Sequence, residues 1–136
     1  MRQLPIDTSP FKITFMRPLI YLQIHRGYFI AKHLRNGKSI RRECPGLKHP
    51  RTLMGDFHSV QASFAAAIKE LLPPINLLKP RGLIHLLPVY EGGYTNVEIR
   101  AFTEAAEMAG ITSAILSTSD RPLTDAEVQE MWRRLL

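Results

Sequence analysis

LIYLQIHRGYFIAKHLRNGKSIRREC, residues 19–44, decides the fold. Its opening, Leu19-Ile20-Tyr21-Leu22-Gln23-Ile24, is rich in β-branched and aromatic side chains and reads as a buried strand. Arg26-Gly27 signals a turn, residues 28–34 a second strand and residues 38–44 a third. Between the last two stands Asn36-Gly37, the strongest short hairpin signal, since both residue types tolerate the positive φ of a two-residue type I′ turn. Such a loop places Arg35 opposite Lys38, His33 opposite Ile40 and Lys32 opposite Arg41. Two of these pairs set like charges face to face, which costs stability unless water or an anion intervenes.

Downstream the apolar period changes from two to that of a helix. After a loop marked by Pro45, Gly46 and Pro50, Asp56 is placed as an N-cap. Phe57, Val60, Phe64, Ala67, Ile68 and Leu71 then recur at helical spacing until Pro73-Pro74 ends the run. Arg81-Gly82 precedes Leu83-Ile84-His85-Leu86-Leu87, a nearly all-apolar run typical of a strand covered on both faces. Thr95-Asn96-Val97-Glu98 predicts a capping box, Tyr94 with Ile99 a hydrophobic staple, and Gly110 the helix stop. Residues 111–116 supply the last strand. Thr124-Asp125-Ala126-Glu127 repeats the capping box and Leu123 with Val128 the staple, while Val128, Met131, Trp132 and Leu135 line one helical face. The order strand, strand, strand, helix, strand, helix, strand, helix predicts an α/β fold: one mixed five-stranded sheet, order 3-2-1-4-5, with helices packed on it. Strands 4 and 5 run parallel to strand 1 through right-handed crossovers.

A chain of 136 residues suits one core. Residues 1–15, with Pro5 and Pro10, read as an N-terminal extension ahead of a single domain over 16–136, and Met16 marks an alternative start. No apolar run reaches the roughly 18–20 residues that cross a bilayer. The N-terminus lacks the apolar segment of a secretory signal, so a cytoplasmic location is expected. Cys44 is the one cysteine, which rules out intramolecular disulfides and cysteine-based zinc sites and favours a structural thiol.

The net charge of +6 is uneven: residues 1–52 carry 11 Lys and Arg against Asp7 and Glu43. Arg26, Lys32, Lys38, Arg41 and Arg42 form a candidate basic patch for nucleic acid or another anion. The competing reading is a solvated edge strand whose charges discourage aggregation. No aromatic stacking platform or recognition helix accompanies the patch. His25, His33, His49, His58 and His85 show no HxH or HExxH spacing, and Ser113, Ser117 and Ser119 lack a G-x-S-x-G context. No catalytic residue, metal ligand or cofactor is therefore assigned. His85, inside an apolar strand, reads as a hydrogen-bonded core residue. Open α/β sheets bind ligands at the C-terminal ends of their strands, which makes His25, Arg26, Tyr90, Glu91, Gly92 and Gly93 the candidate ligand edge. Glu91-Gly92-Gly93 ahead of a helix is placed to offer backbone N–H groups to a phosphate.

PRGLIHLLP, residues 80–88, followed by NVEIRAFTEAAEMAG, residues 96–110, resembles the first subdomain of the bacterial actin MreB family. There a strand ending in proline leads to a helix with a V-E-x-R-A pattern and an E-A-A-x-x-A-G ending. The sheet order is likewise that of the ribonuclease-H-like or actin-like superfold. The whole chain is also similar to the small YjaA-type bacterial proteins associated with stress responses, through Leu22-Gln23-Ile24, the helix near residues 57–72, and Glu91-Gly92-Gly93 with Val97-Glu98. In actin-like ATPases the first strand ends in an aspartate followed by a glycine-containing phosphate loop. Gln23-Ile24-His25-Arg26-Gly27 stands in that place here, without a carboxylate to orient magnesium and water. A chain of this length is also expected to hold no second nucleotide-sandwiching lobe. The resemblance therefore implies a non-catalytic interaction domain, a truncated MreB-like module that binds a protein partner or itself. Weak nucleic-acid binding through the basic hairpin and a small-molecule enzyme at the strand-end loops are the alternatives.

Overall fold

The computed structural model describes residues 17–75 and 78–135. The expected N-terminal extension, with Met16, lies outside the described residues. Leu19–His25 forms β1, Tyr28–His33 β2 and Ser39–Glu43 β3; Arg81–Leu86 forms β4 and Ser113–Ser117 β5. They make one sheet in the order β3-β2-β1-β4-β5, as the pattern predicts. β1 runs antiparallel to β2 and parallel to β4, and β5 continues parallel on the outside. Phe57–Leu71 is α1, Asn96–Met108 α2 and Asp125–Arg134 α3.

Alternation along β1 divides the interior. Ile20, Leu22 and Ile24 face α1 and α2 within the larger apolar cluster, which the Phe29 and Phe64 rings join edge to face at 5.0 Å. Leu19 and Tyr21 face the other way and, with Leu34 and Leu83, receive Val128 and Trp132 of α3. β4 is buried at every position, in keeping with cover on both faces. Gly82 is required by close approach: a Cβ there would sit 2.9 Å from Ile111 Cδ1 and 3.2 Å from the Ile20 carbonyl. Cys44 is buried, and burial raises its thiol pKa against the lowering effect of Ser63, so it stays a protonated, apolar group.

Three expectations need correcting. The hairpin pairs Lys32 with Ser39, Ala31 with Ile40 and Ile30 with Arg41, a register two residues away from the one the Asn36-Gly37 turn implies. Its closing bond runs from the His33 N–H to the Lys38 carbonyl, 2.8 Å, around a four-residue loop. A type I′ turn needs positive φ at both central residues, yet only Gly37 has it, at 75°, and Asn36 does not. The Asn36 side chain instead accepts from the Lys38 N–H, 2.9 Å. A shift of two keeps every side chain on its face and removes both like-charge pairs.

Second, the Thr95 hydroxyl accepts from the Glu98 N–H, 3.1 Å, but the Glu98 carboxylate does not close the box. It accepts from the N–H groups of Leu53 and Met54, 2.7 and 3.1 Å, in an irregular segment whose donors have no ladder to serve them. At α3 the box forms in full between Thr124 and Glu127, with bonds of 3.2 and 3.0 Å. Third, Leu135 is 62% exposed, because α3 ends at Arg134 and the chain turns off the buried face.

Candidate functional site

The strand-end edge is built by three loops. β1 ends at His25, and the Gly27 N–H donates to the Leu47 carbonyl, 3.1 Å, which draws the segment after β3 alongside. Arg26 joins the loops: one guanidinium nitrogen donates to the Tyr90 hydroxyl, 2.9 Å, and another to the His49 carbonyl, 2.7 Å. Tyr90 meets Tyr94 edge to face at 5.3 Å, and the Tyr94 hydroxyl donates to the Pro88 carbonyl. Glu91, Gly92 and Gly93 form an exposed turn, and the Gly93 N–H donates to the Tyr90 carbonyl, 2.9 Å, which leaves it turned inward. The structure thus brings Arg26 and Tyr90 together.

His25 turns onto the α3 side of the sheet. Its ring stacks on Tyr28 at 4.4 Å, and the Arg41 guanidinium lies 3.8 Å over the same tyrosine. Burial, then Arg41 and His85, hold the His25 pKa below its usual value, so the ring is neutral at pH 7. Its Nε2 is buried with no hydrogen-bond partner among the described residues. His85, two residues back on the neighbouring strand, is bonded at both nitrogens, as its apolar setting suggests. Among the described residues no three His, Cys, Asp or Glu side chains gather closely enough to hold a metal ion.

The five basic residues of the hairpin region do not share a face. Lys32 pairs with Asp125 at the start of α3, 2.8 Å. Lys38 donates to the Glu70 carbonyl at the far end of α1, 3.2 Å, and Arg42 pairs with the Glu70 carboxylate. Arg41 pairs with Glu43, 3.1 Å, and Arg26 is held at the strand ends. Arg41 and Arg42 leave opposite sides of β3, so their charges diverge.

Two features were not announced by any motif. The first is the contrast between the sheet's edges. β3 carries Arg41, Arg42 and Glu43, the charges that discourage strand addition. β5 is Ser113-Ala114-Ile115-Leu116-Ser117, half-buried along its length and free of charge and proline. Among the described residues, no hydrogen bond from outside the β4 ladder reaches its backbone. The second is a recess at the opposite end of the sheet from the strand-end loops, where Arg17, Arg35, Arg81 and Arg133 converge. Those arginines are scattered along the sequence, and the strand register, the loop after β2 and the last turn of α3 unite them.

Comparison with known proteins gives the fold a relative. The crystal structure of MreB 5 of Spiroplasma citri bound to AMPPNP superimposes with a TM-score of 0.53 at 14% sequence identity, covering 75% of this chain and 38% of that one. The chain therefore spans well under half the length of the protein it matches. No family model matches the sequence, and no curated protein matches it. The YjaA-type resemblance finds no support in these comparisons. No described helix is long and apolar enough to cross a membrane.

Proposed function

From this actin-like fold we propose that the chain is a non-catalytic interaction domain, that its docking element is the open edge of β5, and that a second copy of the chain occupies it. The observation that carries the reading is the β5 sequence, which is nearly symmetric about Ile115. Antiparallel pairing of two copies about that residue sets Ser113 against Ser117, Ala114 against Leu116, and Ile115 against itself. Serines then meet serines on the α3 face, with Ile115 against its own copy between them, and Ala114 meets Leu116 on the other face, with no like charges opposed. A two-fold axis through Ile115 makes the contact self-complementary, the commonest form of protein association. It also covers the row of backbone donors and acceptors that an edge strand otherwise presents to any extended chain. The non-catalytic part of the reading rests on Gln23-Ile24-His25 where an actin-like ATPase carries its carboxylate, and on an Arg26 guanidinium committed to two loops.

The test is the mass in solution, by sedimentation, across a dilution series reaching roughly 100 µM. The native chain is expected to dimerise. Ser113→Lys with Ser117→Lys opposes lysines twice and is expected to give a monomer. Ser113→Lys with Ser117→Glu opposes unlike charges and is expected to restore the dimer. A native chain that stays monomeric throughout sinks the proposal, as does a dimer indifferent to both pairs of substitutions.

A further inference from the structure

We propose that the recess framed by Arg17, Arg35, Arg81 and Arg133 is a binding site for a compact anion of the phosphate class, inorganic diphosphate or the diphosphate end of a small ester. It lies at the N-terminal ends of β1 and β4, beside the start of β5, where Arg81 pairs with Ser113, and at the opposite end of the sheet from the strand-end loops. The sheet assembles it. The parallel register sets Leu19 beside Arg81, and the Leu34 N–H donates to the Leu19 carbonyl, 3.0 Å, which brings the loop carrying Arg35 to the same corner. Arg17 precedes β1, and Arg133 reaches in from the last turn of α3.

The four arginines and Gln129 line a cavity of about 230 Å³ together with Leu19 and Leu34, and no carboxylate is among its described lining residues. Arg17 is fixed in orientation, with Nε donating to the Lys79 carbonyl, 2.9 Å, and another nitrogen to the Thr112 hydroxyl. Arg81 is only 6% exposed and lies 5.4 Å over the Trp132 ring, so one positive charge sits at the floor of the recess. Arg133 meets Glu130 at 3.5 Å in an exposed pair that is weak by nature. Arg35 and Arg81 are also engaged within the fold, so the recess is set apart by convergence of charge and not by an idle group.

That convergence is unfavourable without an anion. Burial lowers the Arg81 pKa, and the nearby charges of Arg17 and Arg35 lower it further, the mark of like charges pressed together. A multivalent oxyanion reverses the sign of each of these interactions. Guanidinium forks match tetrahedral oxyanions with paired hydrogen bonds, and a diphosphate has enough oxygens to serve several forks at once, whereas a carboxylate serves one. The cavity decides the size of the guest. Pockets for drug-sized molecules run to roughly 300–1,000 Å³, so this one suits a diphosphate, with any organic remainder outside. Because Arg81 lies at the floor, a flat polyanion such as a duplex or a membrane surface reaches the rim and not the base.

The experiment is calorimetric titration of the full chain at low ionic strength with inorganic diphosphate, orthophosphate and ADP, and with sodium chloride at matched ionic strength. Diphosphate is expected to bind, more tightly than orthophosphate. Binding of ADP as tight as diphosphate identifies an ester as the source, and much weaker ADP binding identifies the free anion; either supports the site. Arg35→Gln and Arg133→Gln are each expected to weaken diphosphate by about tenfold. The unliganded Arg133→Gln variant is expected to melt close to the native chain, because the exposed Glu130 pair it loses is weak; this separates a ligand-binding arginine from a structural one. Diphosphate heats no larger than those of chloride overturn the proposal. So does an affinity that both variants leave unchanged, or tight binding of a single-stranded oligonucleotide or of phosphatidylserine vesicles by a chain that ignores diphosphate.

Discussion

The Tyr21 hydroxyl on β1 lies 2.6 Å from Nδ1 of His85 on β4, a buried bond between residues 64 apart in the chain. The Leu123 N–H donates to the same hydroxyl, 3.0 Å, and His85 Nε2 lies 2.7 Å from the Ser119 carbonyl. A carbonyl can only accept, so Nε2 carries the proton and Nδ1 accepts from Tyr21. The direction of every bond in the chain follows, from the Leu123 amide to the Ser119 oxygen. It fastens the segment that leads into α3 onto the two central strands.

Tyr21→Phe keeps the ring and removes the oxygen, leaving His85 Nδ1 and the Leu123 N–H unserved in a buried place. The expected loss of stability is about 1–3 kcal/mol by urea denaturation. A loss below about 0.5 kcal/mol would mean that water serves both groups and that the relay contributes little.

Acid should weaken the fold through its histidines before its carboxylates. Burial, as the leading cause, lowers the pKa of His25, His33 and His85, with Arg41 and Arg35 adding to the effect at the first two. The unfolded chain therefore binds protons that the folded chain refuses. Their contribution is whole above the unfolded value of about 6.5 and is lost as pH falls through the lower folded values. Unfolding free energy measured between pH 7.5 and 5 is expected to decline, and the decline should be shallower in His85→Asn. Glu127 acts later: its bonds to Arg121 and then to Thr124 push its pKa down to about 2, so its share disappears as pH falls from about 4.5 toward 2.

Gly82→Ala tests how closely β1, β4 and Ile111 approach. The added methyl meets Ile111 Cδ1 at 2.9 Å and Cγ2 at 3.0 Å, and the expected cost is about 1–3 kcal/mol. Combining it with Ile111→Val removes the nearer carbon and should cost less than the two changes summed, a coupling that thermal melts can read.

The hairpin register has a direct readout. Cross-strand nuclear Overhauser contacts are expected between Ala31 and Ile40 and between Lys32 and Ser39. Backbone contacts pairing Lys32 directly with Arg41 and His33 with Ile40, in place of these, would restore the two-residue turn and contradict the structure.

Most of the architecture was legible, because it depends on local patterns. The apolar spacing from Phe57 to Leu71 marks α1, the caps at Asp56, Thr95 and Thr124 open the helices, and the all-apolar run before Pro88 identifies a strand buried on both faces. What the pattern left open is what depends on competition between partners. Asn36-Gly37 announces a turn, but the choice between a two- and a four-residue loop turns on burying Ile40 beside Ala31 and on where the Asn36 amide finds its donor. Glu98 is placed to close its own cap and is captured by Leu53 and Met54, which sequence does not bring near it. Arg26 and Tyr90 could be placed near one another because each follows the end of a strand, while the arginine recess had no motif because its members meet through the β1–β4 register, the loop after β2 and the last turn of α3.

The sheet's two faces are unequally clothed, and that inequality sets the order in which the molecule comes apart. α1 and α2 share the larger apolar cluster, whereas α3 rests on a smaller one through Val128 and Trp132, with the Leu123–Tyr21 bond at its root. Hydrogen exchange should therefore find residues 125–134 opening as a unit, at a lower free energy than the amides of β1 and β4. Each such opening carries Arg133 away from Arg17, Arg35 and Arg81. The protein would then breathe through α3, and a bound diphosphate would slow that breathing in proportion to its occupancy.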